Sequence, residues 1–276
     1  MEILDQSENT HNGRTVESVL ANGYSFNLGD YIGRAFKLFG NDAGSYLGYV
    51  LLYFIINFVI NMLPFIGGIA SLAINPALIA GWYIYARNHN MGHTRGFGNF
   101  FDGFKGPHWI QLILASLVTS IFVAIAVAIV IVPFFFSTLV DMFSNFSEMR
   151  EMRDPDDMRA FAMGMFTGKI VLGIVIAGLL GSLVAVLYCL APMFIVFRGM
   201  SFWDAMEASR KVVTKNYMQF LVFFIVLIVI LVIGTLLCCI GLLVAIPIYY
   251  LSLYVAFEAI MGTGNVEAGN VEGRIN

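Results

Sequence analysis

Residues 201–217, SFWDAMEASRKVVTKNY, decide how the chain is read, because they form a capped amphipathic helix between two long apolar runs. Ser201 is placed to accept hydrogen bonds from the first free backbone amides, and Asp204 suits the positive end of the helix. Phe202, Ala205, Met206, Ser209, Val212 and Val213 fall on one side, while Asp204, Glu207, Arg210, Lys211 and Lys215 lie mostly on the other. A helix with these two faces is expected to lie along a membrane surface. Its cations Arg210, Lys211 and Lys215 then meet anionic headgroups or serve as ordinary flanks of the cytoplasmic side, and both readings give the same location.

The same opening occurs twice earlier. Asn27 and Asp30 precede the first apolar run, and Asn99 and Asp102 precede the third, with the spacing of Ser201 and Asp204. Three capped elbows imply three hairpins. The expected fold is an all-α, polytopic membrane bundle of six transmembrane helices, each hairpin preceded by an interfacial amphipathic helix.

Composition agrees with that class. Hydrophobic residues make up 59% of the chain, charged residues 12%, and the mean hydropathy is +0.82, whereas a soluble domain has roughly a quarter of its residues charged. The net charge of −3 implies no polyanionic partner, so nucleic acid is not expected. Cys189, Cys238 and Cys239 sit in or beside apolar runs, where they form neither a disulfide framework nor a zinc spacing. Cys238 and Cys239 are either small helix residues or a strained vicinal disulfide.

The chain divides into a disordered cytoplasmic tail over 1–23, a membrane domain over 24–262 and a disordered tail over 263–276. The first tail lacks the charged start and apolar core of a signal peptide and is expected to stay uncleaved. Crossings are expected at about 45–63, 69–86, 109–140, 170–197, 218–237 and 242–260, with the long third one broken or bent near Pro133. With both termini inside, eleven lysines and arginines lie on the inner side and four on the outer, which sets an N-in, C-in orientation.

The first hairpin repeats in the last. Asp30 and Asp204 stand 174 positions apart, as do Gly67 and Gly241, and a three-residue deletion then aligns Pro76 with Pro247 and Arg87 with Glu258. The middle unit carries Pro192 in its second helix. Duplication either builds a stable bundle, or it builds a pseudo-symmetric path along Pro76, Pro192 and Pro247, whose freed carbonyls contact a substrate.

Ionisable groups are nearly absent at mid-membrane depth, where ion-coupled carriers keep them. Glu258, near the inner end of the sixth crossing, is either an interfacial carboxylate or the partner of Arg87. His89 and His93 would share a helical face, but the segment between them is a poor helix, and no metal site is expected. No cofactor motif and no catalytic constellation is recognisable. The methionine-rich outer loop over 141–166 suits packing or contact with a membrane or periplasmic protein, and its aspartates a solvated turn.

SFWDAMEASRKVVTKNY, the following apolar helix, a short Ile-Gly turn and AIPIYYLSLYVAFEAI resemble the YciC-like bacterial inner-membrane proteins and the membrane domain fused to some glycerophosphodiester phosphodiesterases. The resemblance covers residues 198–262 and, more faintly, 26–104. It implies a six-span bacterial membrane protein; the phosphodiesterase domain has no counterpart here, so no hydrolase activity carries over. The expectation is a non-enzymatic protein of the bacterial cytoplasmic membrane that organises lipid or partner proteins. The alternatives are a carrier or export component for an apolar or amphipathic substrate, and an intramembrane enzyme.

Overall fold

The computed structural model describes residues 13–63, 66–93, 96–144, 154–237 and 240–262. The elements among them are helical: α1 (Val16–Asn22), α2 (Leu28–Asn41), α3 (Ala43–Asn61), α4 (Ile66–Asn90), a 3₁₀ helix (Phe97–Phe104), α5 (His108–Ser144), α6 (Pro155–Leu187), α7 (Ala191–Arg198), α8 (Phe202–Lys215), α9 (Tyr217–Leu236) and α10 (Ile240–Met261). Six helical stretches are long and apolar enough to cross a membrane: Ala43–Asn61, Gly67–Asn90, His108–Val140, Val171–Arg198, Tyr217–Leu236 and Gly241–Met261. Their outer faces leave Phe58 68%, Ile129 67% and Leu236 77% exposed, an arrangement that water penalises and hydrocarbon accepts. The chain is an all-α, multi-pass integral membrane protein.

Two compact units divide it, one from Met1–Leu117 with Leu187–Asn276 and the other from Val118–Val186. In the first, α10 is the most buried span and packs against α2, α3, α4 and α9. Adding 174 to the bounds of α2 gives the bounds of α8, and the same step carries the starts of α3 and α4 onto those of α9 and α10. Close approach follows the offset too. A Cβ on Gly67 would stand 2.4 Å from the Ile60 carbonyl oxygen, and one on Gly241 2.5 Å from that of Gly234.

The core of this unit is aromatic. Phe100, from the 3₁₀ helix, is stacked between Tyr49 of α3 and Tyr85 of α4 with ring centroids 4.0 and 3.9 Å away, and Trp82 meets Tyr49 edge-on at 4.6 Å. The rings can close because backbone lies on backbone beneath them: Gly81 faces the Phe100 carbonyl and Gly103 faces the Ala77 carbonyl. The Tyr49 hydroxyl donates to the Leu78 carbonyl at 2.8 Å, adding a polar tie across the same contact.

Helix irregularities are satisfied locally. Pro76 removes from α4 the donor that would reach the Leu72 carbonyl, and one residue on the Trp109 indole N–H donates at 2.9 Å to the Ala73 carbonyl. The fourth crossing is not one helix to residue 197, as the sequence implied. It breaks between Leu187 and Ala191, and Pro192 stands in the first turn of α7 rather than inside a continuous helix. Buried Ser209 from α8 donates to the Leu187 carbonyl at 2.7 Å and accepts from the Leu190 amide at 3.2 Å, which closes the break.

Three further expectations are corrected. Residues 13–23 are not a loose tail: the Thr15 side chain caps α1, which packs against α8 and buries Val19. In the second unit α5 is one helix through Pro133, so of the expected break or bend the break does not occur, and small residues let side chains close on α6, with Gly173 against Phe134 and Gly181 against Val127. The outer loop over 141–166 is shorter than expected, because α5 continues to Ser144 and α6 begins at Pro155. Residues 145–153, Pro64, Phe65, Cys238, Cys239 and the tail 263–276 lie outside the described residues.

A Cβ on Gly81 would stand 1.9 Å from the Phe100 carbonyl oxygen and one on Gly103 2.2 Å from that of Ala77, with no flexible side chain to yield. Gly81→Ala and Gly103→Ala are therefore each expected to destabilise the protein by about 1–3 kcal/mol or more. Gly33→Ala, exposed on α2 with open space around the new methyl, should stabilise by about 0.5–1 kcal/mol. Thermal unfolding in detergent checks the contrast; equal responses would refute the backbone contact.

Candidate functional site

The last turn of α10 carries Glu258 into the protein at 7% exposure, and a buried carboxylate has to be paired and hydrogen-bonded. Arg34 of α2 forms an ion pair with Oε2 and the Asn90 side-chain amide of α4 donates to Oε1. The Tyr254 hydroxyl, one turn back on α10, donates to Oε1 at 3.4 Å. Asp30, 3.9 Å from Arg34, extends the network to the start of α2. One carboxylate thus fastens three helices together at the end of the unit where Arg14 and Met261 also meet.

Arg87 reaches the same place from α4. The sequence alignment of the two hairpins set it opposite Glu258, and the structure brings both side chains into one cleft, with the Arg87 guanidinium 4.8 Å from the centre of the Phe197 ring. Sequence reasoning missed Arg34, whose only signal was a cation on the polar side of α2. It missed Arg198 as well. That side chain donates through Nη2 to the Met261 carbonyl at 2.9 Å and the Arg14 carbonyl at 3.2 Å, so it caps the C-terminal end of α10. The Arg14 amide donates to the same Met261 carbonyl at 2.7 Å.

Arg87, Phe197, Arg198, Tyr254, Phe257 and Glu258 line this cleft, which has room for about one water molecule, 10 Å³. A site for a drug-sized molecule needs at least about 300 Å³. The cleft is too small to enclose a molecule of that size.

The elbows divide into two kinds. Asn27 accepts from the Asp30 amide at 3.1 Å and Ser201 from the Asp204 amide at 3.2 Å, so both expected caps form. Asn99 and Asp102 do not cap an interfacial α-helix. Asn99 accepts from the Gly96 amide at 2.9 Å and donates to Asp102 at 2.8 Å, inside the 3₁₀ helix, and Asp102 pairs with Lys105 at 2.6 Å. This short element is held against α4 by the glycine contacts.

Burial also changes the meaning of α8. Ala205, Met206, Ser209, Val212 and Val213 pack inside the protein rather than against lipid, so only the polar face is free. On that face Arg210 makes two bonds to Glu207, at 2.9 and 2.7 Å, and Lys211 stands 3.5 Å from the same carboxylate. Hydrogen bonding from Arg210 holds the Glu207 carboxyl below its ordinary pKa. The Lys215 ammonium donates to the Leu20 carbonyl of α1.

Pro76 and Pro247 are buried within α4 and α10, and Pro192 is half-buried. His89 lies 3.1 Å from the Tyr46 hydroxyl, and α4 ends at Asn90, so His93 does not continue its helical face. No family model, curated protein or solved structure matches this chain.

A double-mutant cycle on Arg34→Ala and Glu258→Ala is expected to give a coupling energy of about 1–3 kcal/mol in thermal or denaturant unfolding, because one member is buried. The exposed Glu207 and Arg210 pair should give a smaller coupling that falls further in high salt.

Proposed function

We propose that the protein is a non-enzymatic component of a bacterial cytoplasmic membrane that organises lipid at the inner leaflet through its elbow helices. The carrying observation is that α2 and α8 bury their apolar faces in protein while leaving cations outward, Lys37 on α2 and Arg210 and Lys211 on α8. Trp203, 57% exposed, lies on the same helix as Arg210 and Lys211, and Phe36, 47% exposed, adjoins Lys37 in sequence, as suits aromatic residues at the headgroup level. The excess of lysine and arginine on the side of these helices supports the inward orientation. The common offset of 174 positions between matching helices supports an internal duplication that supplies two such elbows. The resemblance of residues 198–262 to the YciC-like proteins agrees with a bacterial inner-membrane setting.

Gentle extraction followed by native mass spectrometry tests this reading. Anionic phospholipids are expected to be enriched over the bulk membrane extract, and an Arg210→Gln, Lys211→Gln double variant should reduce the enrichment. Stoichiometric retention of a small amphiphile that is not a membrane lipid would instead favour a carrier with its path along Pro76, Pro192 and Pro247.

A further inference from the structure

Arg198 is a half-buried cation that faces no carboxylate within ion-pair distance among the described residues. Its hydrogen bonds to those residues all come from Nη2, to the Met261 and Arg14 carbonyls, which leaves the three N–H groups of Nη1 and Nε without an acceptor among them. The guanidinium is also fixed in place. Gly13 lies so close that a Cβ there would stand 2.7 Å from Nη2, and the two carbonyls hold the side chain across the end of α10.

A second guanidinium shares the cleft. Arg87 rests on the Phe197 ring, and its charge and that of Arg198 act on one another. Glu258 is the carboxylate in the cleft wall; Arg34 and Asn90 engage its two oxygens, and its charge also acts on Arg87. Against that one carboxylate the lining sets two guanidiniums, and Arg198 holds its donors already ordered, the usual requirement for holding an oxyanion. The space suits one oxygen-sized atom, with the rest of the group at the mouth.

Depth narrows the chemistry. Arg198 closes the span Val171–Arg198, Met261 closes Gly241–Met261, and Arg87 sits in the last turn of Gly67–Asn90. Side chains at the ends of spans lie at the level of lipid phosphates. We propose that Arg198 and Arg87 form a binding site for a phosphoryl group, one oxygen of which enters the cleft. The proposal deepens the lipid reading and rests on it for the source of the phosphate, a headgroup in the leaflet as against a free phosphate from the aqueous side.

The full chain, delipidated in a sugar-headed detergent that contains no phosphate, is titrated with inorganic phosphate, with phosphatidylglycerol, and with sodium chloride of matched ionic strength. Ligand-induced shifts of the unfolding midpoint and retention in native mass spectrometry are read together. Stabilisation by phosphatidylglycerol alone assigns the site to a headgroup, and stabilisation by inorganic phosphate as well assigns it to any accessible phosphoryl group. In either case Arg198→Gln should weaken the response about ten-fold or more and Arg198→Lys should recover part of it. Where Arg198→Gln does not fold, Arg87→Gln replaces it. No shift beyond the chloride control in the wild type overturns the proposal, and so does an unchanged titration in the glutamine variant. Loss of lipid enrichment in the Arg210, Lys211 variant beside an unchanged Arg198→Gln titration would leave the elbow reading standing and remove the cleft. A phosphate response without lipid enrichment would do the reverse.

Discussion

Hydrocarbon offers no hydrogen bonds, so a chain that crosses it repeatedly must satisfy within itself every peptide group that its helices leave open. The irregular points of the larger unit follow this constraint one by one. Ser209 closes the break before Pro192, and Trp109 and Tyr49 donate to the Ala73 and Leu78 carbonyls of α4 on either side of Pro76. Each repair comes from a different element, so local backbone defects become ties between helices. This is how helices that gain little from hydrophobic attraction inside a bilayer are still held in one arrangement.

Much of this design could be read in the sequence. The caps of α2 and α8 were legible because Asn27 with Asp30, and Ser201 with Asp204, act within one turn of chain, and the six spans were legible because length and apolarity are local properties. The 3₁₀ helix was not. Its Asn99 and Asp102 imitate the elbow pattern, yet what decides its form is a backbone contact between Gly103 and Ala77 and between Gly81 and Phe100, residues far apart in the chain. Ser209 likewise looks like a small residue on an apolar face until the break at residues 188–190 comes to lie against it. Periodicity reports which face is buried and is silent about what buries it.

The same limit separates the expected from the observed elbow. Sequence alone assigned the apolar side of α8 to the membrane, since both lipid and protein accept Val212, Val213 and Met206. The structure gives that side to protein, through α7 and α1. An amphipathic helix anchored by its apolar face inserts into a leaflet, whereas one whose apolar face is already covered meets the leaflet only with its charges and its rim of aromatics. The second situation favours headgroup recognition over insertion, and it makes the contact dependent on lipid charge and on salt.

Glu258 and Arg198 show how differently charge is treated a few residues apart. Glu258 is enclosed, and α2 and α4 deliver Arg34 and Asn90 to it, so its charge is answered from within the protein. Among the described residues Arg198 is answered only by carbonyl dipoles, which leave a full positive charge beside that of Arg87. A soluble protein would leave such a charge to water. At the end of three spans the neighbouring phase is a dense layer of lipid phosphates, and the negative potential of an anionic leaflet, about −30 mV, draws the protein's cations toward those headgroups. A cleft holding two guanidiniums therefore needs little intrinsic affinity to be filled there, because the membrane itself sets the concentration of its ligand.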